Sequence, residues 1–229
     1  MEDIDAIAVL QDPVRRRLYE YVVAQGREVG RNEAAEAAGV ARTLAAHHLD
    51  RLTEAGLLES GSRRLTGRSG PGAGRPAKVY TRAQAERSVS LPARDYRTAA
   101  ELLAEAAEQA GLDDGLRAAA RRRGEVLRGS AAPCGSLEEA TQMLAARGYE
   151  PHLEGIGDAK GASGAAARVV RMRNCPFHTV AERFPPLVCG MNLALLEGLL
   201  GTDGPVRARM DPRPGGCCVI VEASKSIIH

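Results

Sequence analysis

The chain has 229 residues and five cysteines, and four of the five fall between Cys175 and Cys218. Thirteen residues separate Cys175 from Cys189, 27 separate Cys189 from Cys217, and Cys218 follows directly. Five cysteines are too few for a disulfide scaffold at this length, and clustered thiols in a reducing compartment read first as metal ligands or redox groups. Asn174-Cys175-Pro176 reads as a helix start with Cys175 at the cap, where the helix N-terminus favours thiolate. Cys189 is expected in the first turn of a second helix, about 186–199. Cys217 is expected to open a final strand, 217–221. Successive strand residues face opposite ways, so Cys217 rather than Cys218 is the one expected at a shared site.

Three metal ligands are therefore expected, Cys175, Cys189 and Cys217, with Cys218, His178 or a group outside the cluster as the fourth. A Cys followed by Pro also occurs at iron–sulfur ligands. An iron–sulfur centre is the favoured reading, 4Fe–4S before 2Fe–2S. Zinc, a thiol switch and buried structural cysteines compete with it. Cys134 lies outside the cluster and reads as a plain thiol.

The elements that must carry these thiols come from local signals. Ser136-Leu137-Glu138-Glu139 is a capping-box start for a helix ending before Gly148. Tyr149–Leu153 reads as a strand, followed by a glycine-rich loop through Gly155, Gly157, Gly161 and Gly164. That loop lacks Gly-Lys-Ser/Thr and leads into a strand at 167–172, which argues against a phosphate-binding role. Met191, Leu193, Leu195, Leu196 and Leu199 are expected to bury the Cys189 helix. No apolar run is long enough for a membrane span, since the nearest is broken by Asn192, Glu197 and Gly198. The acidic N-terminus reads as no secretory signal, so a cytoplasmic protein is expected. Hydrophobic content of 44% and a net charge of +2 are ordinary for a globular chain.

Upstream lies a different pattern. Asp12-Pro13 starts a helix carrying Val14, Leu18, Tyr21 and Val22, and Gly26 closes it. Asn32 is expected to cap a short helix, 33–38. After Gly39 a third helix spans 41–55, with Leu44, Leu49 and Leu52 facing the core. Arg42, Thr43, Ala46 and His47 then face outward, where a recognition helix meets base edges. His47 and His48 are adjacent, which makes them a poor metal pair on a helix. A short strand at 57–60, a Gly/Arg/Pro-rich loop and a return strand from Lys78 form a hairpin wing. Its basic residues Arg63, Arg64, Arg68, Arg75, Lys78 and Arg82 suit phosphate contacts.

Asp12-Pro13-Val14-Arg15, the stretch from Gly39-Val40-Ala41-Arg42 to His48-Leu49-Asp50-Arg51-Leu52, and Gly74-Arg75-Pro76-Ala77-Lys78-Val79-Tyr80 resemble the winged helix of ArsR-type bacterial regulators. The wing, with Cys-Pro-Phe, Cys-Gly-Met and Gly-Gly-Cys downstream, is similar to the SufR-type branch. That resemblance implies cysteines holding an iron–sulfur cluster whose loss changes DNA affinity. It also implies repression of iron–sulfur assembly genes.

Between these regions, Tyr96, Ala99, Ala100, Leu103, Ala106, Ala107 and Ala110 form a helical stripe, and a second helix carries Leu116, Ala119, Ala120 and Leu127. Helix-turn-helix regulators read paired half-sites as dimers, so this segment is expected to be the main homodimer contact. A helical hairpin packed on the C-terminal domain is the alternative.

The expectation is thus an α+β chain of three parts. Residues 1–88 form a winged helix-turn-helix binding a double-stranded DNA operator, 89–130 a helical dimerisation linker, and 131–229 an α/β cysteine-containing sensor domain. The five histidines show no catalytic spacing and no nucleophile–base pair stands out, so an enzyme is not expected. A small-ligand-binding protein with structural cysteines is the alternative class.

Overall fold

The computed structural model describes residues 2–63, 76–160, 166–213 and 215–224. Two compact units divide the chain between Arg94 and Asp95.

In the first unit, α1 (Glu2–Ala8) and a 3-10 turn (Val9–Gln11) lead to α2 (Pro13–Gln25). Asp12 caps α2, accepting hydrogen bonds from the backbone N–H groups of Val14 and Arg15 at 2.9 Å, and Pro13 stands at its first position. Gly26 ends it with a left-handed φ of 58°, a conformation open to glycine at little cost. Next come β1 (Val29–Gly30), α3 (Arg31–Ala38) and α4 (Arg42–Glu54), then β2 (Leu58–Arg63) and β3 (Ala77–Arg82). The helix α3 begins at Arg31 with Gly30 as a cap that supplies no side chain, so Asn32 lies inside the first turn and is not the cap. The sheet order is β1-β3-β2, antiparallel, with Tyr80 opposite both Val29 and Ser60. The core gathers Leu18, Val22, Ala34, Ala45, Leu49, Leu52, Leu58 and Tyr80. Leu44 is not among them. It is 41% exposed, because the inward face of α4 runs through Ala45, His48, Leu49 and Leu52.

The second unit runs α5 (Tyr96–Gln109), α6 (Asp113–Arg128), α7 (Leu137–Ala145), β4 (Pro151–Lys160), β5 (Ala166–Met172), α8 (His178–Arg183), α9 (Pro185–Leu200), β6 (Val206–Met210), β7 (Val219–Ala223). The sheet is antiparallel, in the order β4-β5-β7-β6. Val170, Met172, Val206, Ala208, Val219 and Val221 cluster with Leu144 of α7 and Leu196, Leu199 and Leu200 of α9. Ser136 caps α7 through the Glu139 N–H, and Glu139 reaches back to the Gly135 N–H at 2.7 Å, so the capping signal is borne out. The glycine-rich stretch is partly strand: β4 continues to Lys160, pairing Gly155 with Arg168, while Gly161 and Gly164 lie outside the described residues.

The helices expected to form a separate linker, α5 and α6, lie within this second unit. The closest approach is between α6 and α9. A Cβ on Gly124 would stand 2.6 Å from the Leu199 amide nitrogen and closer still to the Leu195 carbonyl oxygen, and one on Gly198 would meet the Arg121 carbonyl. The two helices therefore touch backbone to backbone, which only glycine at both positions allows. The packed side of α5 runs through Ala104 and Ala107. Much of its predicted apolar stripe faces away, with Tyr96 74% and Leu103 72% exposed.

Candidate functional site

In the first unit, Arg42, Thr43 and His47 are exposed on α4 and Ala46 is half-buried, so the four residues expected to meet base edges share the outward side of that helix. His48 is buried, and its Nδ1 accepts a hydrogen bond from Arg15 Nε at 3.3 Å. Of the wing residues, Arg63 pairs with Glu28 at 3.1 Å and Lys78 with Asp50 at 2.8 Å. Arg64, Arg68 and Arg75 lie outside the described residues.

A polar knot joins the wing to the recognition helix. Asp50 of α4 accepts hydrogen bonds from the Tyr80 hydroxyl at 2.7 Å, from Lys78, and from Arg31 of α3 at 3.1 and 3.2 Å. Arg31 Nε also donates to the Tyr80 oxygen at 2.8 Å. Partial burial works to raise the Asp50 pKa. The hydrogen bonds from Lys78 and Tyr80, with the charges of Lys78 and Arg31, outweigh it and hold the carboxyl below its ordinary value. Burial, and then the bond to Asp50, pushes the Tyr80 hydroxyl up to about 12. Asp50 and Arg31 were not singled out from sequence, although Asp50 lies seven residues beyond Thr43 on the same helix.

Replacing Asp50 with Asn is expected to cost the first unit about 1–2 kcal/mol, the range for loss of a partly exposed, multiply bonded charge. The sign with pH follows from the lowered pKa. The Asp50 contribution is complete above the ordinary value of 3.8 and is lost as the pH falls below it through the folded value. Urea denaturation between about pH 6 and about pH 3 should show a shallower loss of stability in the variant than in the wild type.

In the second unit, four thiols from three segments come together. Cys175 does not cap a helix. Pro176 takes the second position of a turn closed by the His178 N–H on the Cys175 carbonyl at 3.0 Å, and α8 begins only at His178 with Phe177 as its cap. Cys189 sits in α9, which starts at Pro185, one residue past the first turn. Cys217 and Cys218 lie before β7, in the 211–218 connection. The Asp211 N–H bonds the Cys218 carbonyl at 2.7 Å, and the Cys217 N–H bonds the Met172 carbonyl at 3.0 Å. β7 starts only at Val219, and Cys217 and Cys218 both lie near enough to the other thiols to influence them, Cys217 beside Cys175 and Cys218 beside Cys189.

The electrostatics differ from thiol to thiol. The neighbouring Cys217 thiol, helped by the Phe177 N–H and opposed by burial, holds the Cys175 pKa below its ordinary value. The neighbouring Cys175, with burial, pushes Cys217 up. Burial and then Cys218 push Cys189 up to about 12. Cys175 therefore leans further toward thiolate than Cys189 or Cys217. His178 is turned to Glu182 at 3.2 Å and is largely exposed. Cys134 is buried apart from the four, its thiol donating to the Ser136 carbonyl at 3.3 Å.

Two further residues touch the thiols. Asn192, 2% exposed in α9, accepts from the Tyr149 hydroxyl at 2.6 Å and donates to Cys217 Sγ at 3.3 Å. Sequence reasoning met Asn192 only as an interruption of an apolar run. The usable signal was an amide three residues after Cys189, on the same helical face. The donor set is sulfur alone, which suits soft, thiophilic metals. Among the described residues, no three His, Cys, Asp or Glu side chains are grouped so as to hold a single metal ion.

Residues 10–61 match the model of a helix-turn-helix domain family. The match covers the region from the turn before α2 into β2 and supports an ArsR-like helix-turn-helix regulator, that is, a DNA-binding protein of transcription control. No curated protein and no solved structure matches the chain. Among the described residues no helix is long and apolar enough to cross a membrane.

Proposed function

We propose that this chain is a homodimeric transcription regulator of the SufR type, a repressor of iron–sulfur assembly genes whose DNA affinity depends on an iron–sulfur cluster held by its thiols. The observation that supports the reading is that Cys175, Cys189, Cys217 and Cys218, from three separate segments, lie near enough to perturb one another, with sulfur as their shared donor type. When bound, such a cluster supplies a group that is sensitive to oxidant and to iron supply.

The chain's own residues do the rest. The lowered pKa of Cys175 shifts it toward the thiolate, the form that ligates metal. Cys218 supplies the fourth sulfur that strand alternation had set aside. Ligation ties the turn before α8, the helix α9 and the connection before β7 to one another. Release of that tie loosens the second unit. The apolar residues left exposed on α5, Tyr96, Leu102 and Leu103, provide a face for a second copy, and paired copies place two recognition helices on an operator. Coupling requires the two states of the second unit to differ in DNA affinity. On the DNA side Arg42, Thr43, Ala46 and His47 read bases, while Arg63, Lys78 and the basic wing tip meet phosphates.

Protein purified without oxygen should be brown and carry iron and sulfide. Its operator, selected from random duplexes, should be bound with different affinity before and after chelation. A colourless protein with stoichiometric zinc sinks the iron–sulfur reading in favour of a zinc sensor.

A further inference from the structure

Asn192 has no role in packing that an apolar residue would not perform better. An amide buried to 2% exposure costs free energy unless both of its ends are bonded. Here both are: Oδ1 takes the Tyr149 hydroxyl at 2.6 Å and Nδ2 gives a hydrogen bond to Cys217 Sγ at 3.3 Å. The Tyr149 side chain is itself buried, and its hydroxyl is fixed as a donor by burial that strongly disfavours the phenolate.

The backbone of the same tyrosine holds a second thiol segment. The Tyr149 carbonyl accepts the Asn174 N–H at 3.2 Å, and the Asn174 side chain donates to the Gly148 carbonyl at 2.6 Å, directly ahead of Cys175. The short connection between α7 and β4 is therefore bonded to the Cys175 turn by its main chain. Through Asn192, which lies three residues beyond Cys189, it is bonded to Cys217 by its side chain. One tyrosine and one asparagine join all three thiol-bearing segments.

We infer that Asn192 and Tyr149 are positioning residues of the thiol centre: Asn192 donates its amide hydrogen to the Cys217 sulfur as a metal ligand, and Tyr149 fixes the orientation in which it does so. The inference rests on the metal-binding reading above. An N–H donor on a ligating sulfur stabilises the more negative, reduced state of the centre. Removing it lowers the reduction potential and weakens retention of the metal. The Tyr149 hydroxyl fixes the amide, because with the ring oxygen donating to Oδ1 only Nδ2 is left for sulfur.

The test uses the full-length chain, loaded anaerobically with ferrous iron and inorganic sulfide. Asn192→Leu keeps the branched outline and the number of heavy atoms and deletes both hydrogen bonds, while Tyr149→Phe deletes only the hydroxyl. In Asn192→Leu the midpoint potential should move to a more negative value, and iron should pass to a chelator about 10–100-fold faster than from the wild type. Tyr149→Phe should shift both in the same direction by less. A purely structural role would reduce the fraction of chains loaded and leave the potential of the loaded ones in place. If wild type loads and both variants match it in potential and chelation rate, the assignment of Asn192 and Tyr149 is wrong and the metal reading stands. If wild type takes up no iron and sulfide, the metal reading itself is overturned. Should Asn192→Leu fail to fold, Tyr149→Phe decides alone, with an unmoved potential counting against the assignment.

Discussion

Replacing Gly198 with alanine is expected to destabilise the second unit by about 2–3 kcal/mol, although alanine is the better helix former. Two effects oppose each other. Exchanging glycine for alanine inside a helix gains about 1 kcal/mol from backbone entropy. At Gly198, however, the new methyl would meet the Arg121 carbonyl of α6 and stand 3.0 Å from the Glu125 nitrogen, and both are main-chain atoms that cannot swing aside. The helices must separate, and Ala120, buried on α6 one turn before Gly124, loses part of its burial with them. Gly124→Ala should behave in the same way, since its Cβ would meet Leu195 and Leu199 backbone atoms. At Gly115, also on α6, a methyl group would have open space to 4 Å, and Gly115→Ala should stabilise by up to about 1 kcal/mol. Urea denaturation followed by far-ultraviolet circular dichroism separates these outcomes. Equal behaviour of Gly198→Ala and Gly115→Ala would show that α6 and α9 do not make this contact.

That contact also shows where sequence reasoning stops. Gly198 was visible as a break in an apolar run, and Gly124 was not singled out at all. Nothing in the sequence links positions 74 apart into one crossing, because close backbone approach depends on two surfaces at once. Local signals fared better. Asp12-Pro13 capped its helix and Ser136 capped another, since a cap is decided by residues within a turn of one another. The stripe on α5 was sound as a pattern, but its direction was not readable: Ala104 and Ala107 pack while Tyr96 and Leu103 are exposed, and a periodicity does not say which partner it meets.

The thiol site was legible in type and partly wrong in detail for the same reason. Four clustered cysteines are a compositional fact. Whether Cys217 and Cys218 alternate depends on where β7 begins, and it begins at Val219. Cys217 was expected to open the last strand, but the strand opens two residues later, at Val219. The same shift moved the helix after Cys175 from Pro176 to His178, since Pro fits the second position of a turn as readily as the first position of a helix.

Cys175→Ser and Cys218→Ser together test how the site is built. Cys175, whose pKa is lowered, lies in the turn before α8, so serine there removes a thiol that leans toward thiolate and takes it from beside Cys217. Iron and sulfide content should fall to background. DNA affinity should equal that of chelated wild type, whatever the iron supply. The change in stability of the metal-free chain should stay within about 1 kcal/mol, because serine for a half-buried cysteine leaves no cavity. Cys218→Ser discriminates more finely. If Cys189 is held with Cys218 as the fourth sulfur, this variant should lose iron rapidly on exposure to a chelator and respond to oxidant at lower dose than wild type. If Cys218 only packs beside Cys189, its iron content and release rate should match the wild type, and the fourth ligand must be sought elsewhere. Cys134→Ser, remote from the four, should leave iron, release rate and DNA affinity unchanged. Loss of iron in that variant would mean that disturbance of the buried core, and not ligation, governs retention. The pattern across the three substitutions therefore separates a four-sulfur centre from a three-sulfur one and both from a folding effect, which no single variant does.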